Sequence, residues 1–120
     1  MKSYKELEVW QKSIDLVTEI YSITKDFPNE EKYGIISQIR RSAISVPANI
    51  AEGWGRNSTK EYIQFLYIAR SSLLELETHF IISNNIKYIN KIILNKIQKK
   101  IESIAMMLNR LISSLKNKEN

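Results

Sequence analysis

The sequence predicts an all-α protein, an antiparallel up-down-up-down four-helix bundle whose second helix is bent at Pro47. Three observations carry that expectation. Apolar residues recur at three- and four-residue steps in four separate stretches, short polar connectors join them, and no segment alternates as a half-buried strand does. The 120 residues suit one domain, and three glycines are few enough for long helices.

The first helix is expected over residues 8–27. Trp10, Ile14, Val17, Tyr21 and Thr24 form one apolar stripe and Val9, Leu16, Ile20, Ile23 and Phe27 an adjacent one, a face wide enough for two neighbours. Pro28 stops it by disfavouring helical angles at the residue before. Glu30 and Glu31 then fall near the start of the second helix, where the positive end of its dipole favours them.

The second helix, over 32–53, organises the chain. Ile36, Ile39, Ala43, Val46 and Ile50 give it a core stripe. Pro47 has no N–H for the Ala43 carbonyl, a loss of about 3 kcal/mol inside a helix. Ser42, Ala43, Ser45 and Ala48 are small enough for a neighbour to approach closely, and Asn49 with the two serines is placed to bond the freed carbonyl. Gly53 and Gly55 offer positions of cheap positive φ, so the helix ends with Trp54 between them.

Ser58-Thr59-Lys60-Glu61 has the capping-box pattern and opens a third helix over 58–84. One face carries Tyr62, Phe65, Leu66, Ala69, Leu73, Leu76 and Phe80, a second Ile63, Tyr67, Leu74 and Ile81. Residues 84–89, led by Asn84 and Asn85, break the period, and Asn90 is the expected N-cap of a fourth helix over 90–116. There Ile93, Ile97, Ile101, Ile104, Leu108, Leu111 and Leu115 make a stripe roughly 35 Å long at 1.5 Å per residue. Lys116 to Asn120 are expected to fray. Second stripes on the first and third helices exceed what one bundle hides, which argues for self-association.

The net charge of +5 is unevenly spread. Residues 1–80 carry ten Lys/Arg against eleven Asp/Glu, whereas from Lys87 onward eight basic residues face only Glu102 and Glu119. Such a stripe binds phosphate backbones non-specifically, although solvated lysine faces are common on small helical proteins. Arg40, Arg41 and Arg56 near the second helix and Lys96, Lys99 and Lys100 on the fourth are the candidate nucleic-acid contacts. Their structural alternative is intramolecular ion pairing, such as Arg56 with Glu52 at a four-residue step.

Catalytic constellations are missing from the sequence. With no cysteine, a disulfide scaffold, a thiolate zinc site and cysteine nucleophilic catalysis are excluded, and a cytoplasmic location is expected. His79 is the only histidine and sits at the edge of an apolar stripe, the place of a packing residue. A di-iron bundle needs Glu-x-x-His twice, but Leu76 stands three before His79 and there is no second histidine. Gly53-Trp54-Gly55 is not a dinucleotide fingerprint. No enzymatic activity, cofactor, metal or small-molecule substrate is therefore expected, and no stretch reaches the roughly 18 apolar residues of a membrane span.

Val9-Trp10-Gln11-Lys12, Phe27-Pro28, Glu31-Lys32-Tyr33-Gly34, Ser37-Gln38-Ile39-Arg40-Arg41, Ser45 to Gly53 and Glu75-Leu76-Glu77-Thr78-His79 together resemble the bacterial four-helix bundle family named for the 23S rRNA intervening sequence. The resemblance runs from about Leu7 to Leu115, and Ser-Val-Pro-Ala-Asn-Ile-Ala-Glu-Gly is its most specific segment. It implies a homopentamer and no enzyme. A more distant likeness, to the accessory protein of diversity-generating retroelements, implies binding to a reverse transcriptase and nucleic acid. Trp10, Pro47, Asn49, Glu52, Gly53, Trp54 and His79 match the family's structural motifs. The expected role is an oligomeric scaffold associated with RNA or a ribonucleoprotein, the rival being a protein-interaction module with no direct contact to RNA or DNA.

Overall fold

The computed structural model describes residues 1–119, with side chains through Lys118. Helix α1 spans Glu8–Thr24, α2 Ile35–Trp54, α3 Thr59–Asn85 and α4 Lys91–Glu119, with 3-10 turns at Tyr4–Glu6 and Asn29–Glu31. No strand occurs among the described residues, so the chain is the all-α bundle that its periodicity predicts. The helices touch in a ring, α1 to α2, α2 to α3, α3 to α4 and α4 back to α1, and the diagonal pairs do not meet. The α2–α3 seam is the most extensive and the α4–α1 seam the thinnest.

The core follows the expected stripes. Leu16, Ile20, Ile39, Ile50, Leu66, Leu73, Leu76, Phe80, Ile97 and Leu108 are fully buried. On α4 the buried line is Leu94, Ile97, Ile101, Ile104, Leu108 and Ile112, with Ile93, Leu111 and Leu115 at its edge. α4 does not fray at Lys116 but continues through Glu119, because Leu115 still packs on the core and Lys116 lies over the Tyr67 ring of α3. Asn120 lies outside the described residues.

Helix ends differ from the sequence expectation for identifiable reasons. α1 stops at Thr24, three residues early, as Asp26 and Phe27 switch to i→i−3 bonds on Ile23 and Thr24. That tight turn brings Phe27 into the core against Tyr88, 5.3 Å between rings. α2 begins at Ile35 rather than near 32, because residues 29–31 form their own 3-10 turn and Gly34 is the cap residue. The α2 first turn therefore holds no acidic residue, and the Glu31 carboxylate instead accepts the Tyr88 hydroxyl at 2.7 Å.

The glycines work differently from expected. None has positive φ. Gly53 lies inside α2, where a Cβ would come 2.8 Å from Phe65 Cβ and 3.1 Å from the Tyr62 carbonyl. It is required for close approach of α2 to α3, not for turning the chain. Pro47 lies within an unbroken α2, and the Asn49 amide donates to the Ser45 carbonyl at 2.8 Å rather than to that of Ala43. Ser58 caps α3 through the Glu61 N–H, but its hydroxyl takes the Glu61 carboxylate, so the reciprocal half of the box is not made there. A complete box forms at Ser3 and Glu6, which share the same spacing.

Among the described residues the one with positive φ is Lys87, at 67°. The Lys87 N–H reaches the Asn84 carbonyl and the Tyr88 N–H the Ser83 carbonyl, closing α3 in a Schellman motif where glycine is the usual occupant. Asn90 caps α4 by accepting from the Ile93 N–H at 2.9 Å, as its position predicts.

Two predictions follow from these backbone positions. Gly53→Ala should destabilise the fold by about 1–3 kcal/mol in urea unfolding despite the better helix propensity of alanine, while Gly55→Ala, whose Cβ would meet nothing closer than 3.6 Å, should change stability little. Lys87→Gly should raise stability by about 1 kcal/mol by removing the left-handed strain.

Candidate functional site

The six candidate nucleic-acid residues do not form one surface, because α2 and α4 lie diagonally across the bundle. Lys96 and Lys100 both turn toward Glu19 of α1, Lys96 Nζ at 3.4 Å and Lys100 in a closer charge-assisted hydrogen bond. Burial pushes the Glu19 carboxyl pKa up, but the hydrogen bonds and charges of Lys100 and then Lys96 outweigh it and hold the group below the ordinary 4.5. These lysines brace the thin α1–α4 seam.

Arg56 pairs with Glu52 at 2.8 Å and lies over the Phe65 ring at 4.7 Å. The Arg40 guanidinium stacks on Tyr21 at 4.3 Å and donates from Nε to Thr24 Oγ1 at 3.0 Å, placing a cation over the C-terminal turn of α1 where the dipole favours it. Arg41 and Lys99 are exposed and make no ion pair among the described residues.

His79 joins a polar seam between α2 and α3. Its Nε2 is buried without a hydrogen-bond partner and lies 3.8 Å from Glu75 Oε1. The same carboxylate oxygen is 2.9 Å from the Ser42 hydroxyl, and one turn along Ser45 Oγ meets Ser72 Oγ at 2.8 Å. The order is hydroxyl, carboxylate, imidazole. A serine nucleophile needs the imidazole in the middle, so this arrangement ties helices together without activating Ser42. Among the described residues no cluster of three or more His, Asp or Glu side chains is placed to hold a metal.

Trp10 and Trp54 flank Tyr4 edge-on, at 5.3 and 6.3 Å, pinning the first turn onto α1 and the end of α2. Beside them Tyr4, Trp10, Ile14, Ile44, Pro47, Ala48 and Ala51 line an open apolar groove between α1 and α2. Ala48 thus faces the groove rather than a neighbouring helix. Of the paired stripes on α1 and α3, Ile14 (37%), Leu74 (62%) and Ile81 (39%) are exposed but Ile63 is buried, and Ile44 and Ile68, outside those stripes, are exposed as well.

Arg70 is, from sequence, one of the arginines able to meet phosphate, but the ring it shares with Lys116 at the other pair of helices is not foreseen there. Arg70 and Lys116 both approach the Tyr67 ring, at 4.7 and 5.3 Å, and Arg70 Nη1 donates to Asn109 Oδ1 at 2.8 Å. The three-residue step from Tyr67 to Arg70 was the only local sign.

Compared with known proteins, residues 5–110 match the family described as 23S rRNA-intervening sequence protein. A solved structure from Bacteroides thetaiotaomicron, a protein of unknown function from the S23 ribosomal protein family, superposes with a TM-score of 0.80 at 28% identity. The match covers 87% of this chain and 97% of that one. No curated protein matches. Among the described residues no helix is long and apolar enough to cross a membrane.

The Glu19 pairing makes a pH prediction. Since its folded-state pKa is lowered, its stabilisation is present above the ordinary 4.5 and is lost as pH falls through the folded value. Urea midpoints of the wild type and Glu19→Gln should differ at neutral pH and draw together as the pH is lowered progressively below 4.5.

Proposed function

Because the chain belongs to the 23S rRNA-intervening sequence protein family, we propose that it is a non-enzymatic, self-associating helical scaffold that accompanies RNA or a ribonucleoprotein. The observation that carries the scaffold half is the open apolar groove between α1 and α2. An apolar strip lined by a tryptophan and two isoleucines is costly to leave in water, and a further copy of the chain is the occupant proposed for it. A ring of five copies is the assembly that the family resemblance implies. The RNA half is supported by the family's name and by the cationic excess after Lys87.

The absence of a nucleophile–base pair in the polar seam supports a binding role over a catalytic one. The same groove would suit a helical protein partner, such as a reverse transcriptase surface, and this is the second reading. Nuclease treatment separates the two, since a complex held by protein contacts survives it.

In sedimentation at micromolar concentration the wild type should run at several times the protomer mass, and Ile14→Lys/Ile44→Lys should shift it to the protomer while circular dichroism stays helical. A folded wild type that sediments as a lone protomer removes the scaffold half. Binding to a labelled single-stranded RNA should weaken steeply as salt rises. No salt-dependent binding removes the RNA half.

A further inference from the structure

Two cations share one aromatic ring where the first half of α3 meets the last turns of α4. Arg70 lies 4.7 Å and Lys116 5.3 Å from the Tyr67 centroid, on elements separated by the whole α3–α4 turn. Among the described residues neither has a carboxylate partner. The ion pairs among the described residues engage Arg56, His79, Lys96 and Lys100 only. Arg40, stacked on Tyr21, is occupied by the Tyr21 carbonyl and Thr24. Arg70 is held instead by the neutral Asn109 side chain, which orients the guanidinium and leaves its charge uncompensated.

Like charges gathered without an acid between them repel each other. The electron-rich face of Tyr67 offsets part of that repulsion. An anion bound beside both would remove the rest. Around the pair, Arg110 and Ser113 continue the surface along α4, and Lys60 stands on α3 seven residues before Tyr67, two turns back on the same face. Among the acids with described side chains, Glu61 is bonded to Ser58, Glu75 to Ser42, and Glu102 precedes Asn109 by two helical turns, while Glu119, three residues after Lys116, lies outside them.

We infer that Tyr67, Arg70 and Lys116 form the contact by which this protein grips the phosphodiester backbone of single-stranded RNA. This rests on the RNA half of the proposed function and moves its site from the lysines paired with Glu19 to the α3–α4 junction. The chemistry fits an unpaired strand. A fixed guanidinium offers parallel N–H donors to phosphate oxygens, the lysine adds a point charge, and the amide and hydroxyl of Asn109 and Ser113 supply neutral donors. Arginine planes and tyrosine rings also accept unstacked bases without regard to sequence. The apolar groove lies on the other helix pair, α1 and α2, so copies seated there leave this junction open.

The test is fluorescence anisotropy of a labelled oligouridine strand titrated with full-length protein over a range of salt. Arg70→Gln/Lys116→Gln should bind roughly tenfold or more weakly at 0.1 M salt and flatten the logarithmic salt slope by about 1.4. Lys5→Gln/Lys25→Gln, which removes the same charge elsewhere, should bind close to wild type. Tyr67→Phe should retain binding and Tyr67→Leu lose part of it. Lys116→Gln alone, which spares the Arg70–Asn109 bond, should give about half the slope change if the double variant unfolds. Wild-type binding matched by a folded double variant, an equal loss in the Lys5/Lys25 control, or competition by polyglutamate as effective as by unlabelled RNA would each overturn the site. A wild type that binds no RNA would overturn the RNA reading itself.

Discussion

The missing side chain of Gly53 sets the distance between α2 and α3, and the rest of the molecule is arranged around that distance. With no Cβ between them, the Phe65 and Tyr62 side chains close directly on the α2 backbone. Farther along, the seam is small and polar, with Ser45 against Ser72 and Ser42 against Glu75, pairs whose side chains span only a short gap. An apolar seam of leucines would hold the helices apart by another side-chain layer. Close approach here also places Arg56 over Phe65 and brings Trp54 within reach of Tyr4, so the N-terminal turn is anchored by the same contact.

Charge on this protein is better understood by partner than by sum. One carboxylate, Glu19, serves two lysines across the thinnest seam, so two of the α4 cations expected to face a ligand, Lys96 and Lys100, pair with α1 instead, though Lys96 stays exposed and Lys100 only half-buried. A cleft of about 210 Å³ beside that pair, lined by Lys12, Asp15, Leu16, Lys100, Ser103 and Ile104, marks how little apolar packing the seam has without it. Surface ion pairs are individually weak, but where packing is thin they decide a larger share of the local stability. Arg70 and Lys116, without an ion pair among the described residues, are placed instead by the Tyr67 ring and, for Arg70, by the neutral Asn109 amide.

Local rules made the helices, their core faces and some caps legible. Leu16, Ile20, Ile39, Leu73 and Leu108 are buried as their spacing requires, Asn90 caps α4, and Arg56 finds Glu52 four residues back. What local rules could not supply were contacts made across the fold. A glycine near a helix end is equally consistent with positive φ and with a close neighbour, and only the position of Phe65 decides for Gly53. Lys87 takes the left-handed position although two asparagines precede it, since the Ser83 carbonyl to Tyr88 bond fixes where the motif closes. Glu19 meets Lys100 across 81 residues, and nothing in either neighbourhood announces the other.

The same separation of scales bears on function. Helix periodicity exposes surplus apolar surface but does not say which surface stays bare, and the fold gathers part of it into a groove on α1 and α2 while Ile68 and Leu74 stay bare on α3. Net charge points to an anionic partner but not to a place, and the fold sets two cations against one ring where α3 meets α4. An apolar strip on one helix pair and a cationic junction on the other can be occupied together, because neither lies between the other and solvent. The proposed scaffold, holding its own copies and a charged polymer at once, would need that division, and a bundle of four helices in ring contact supplies two separate helix pairs on which to build it.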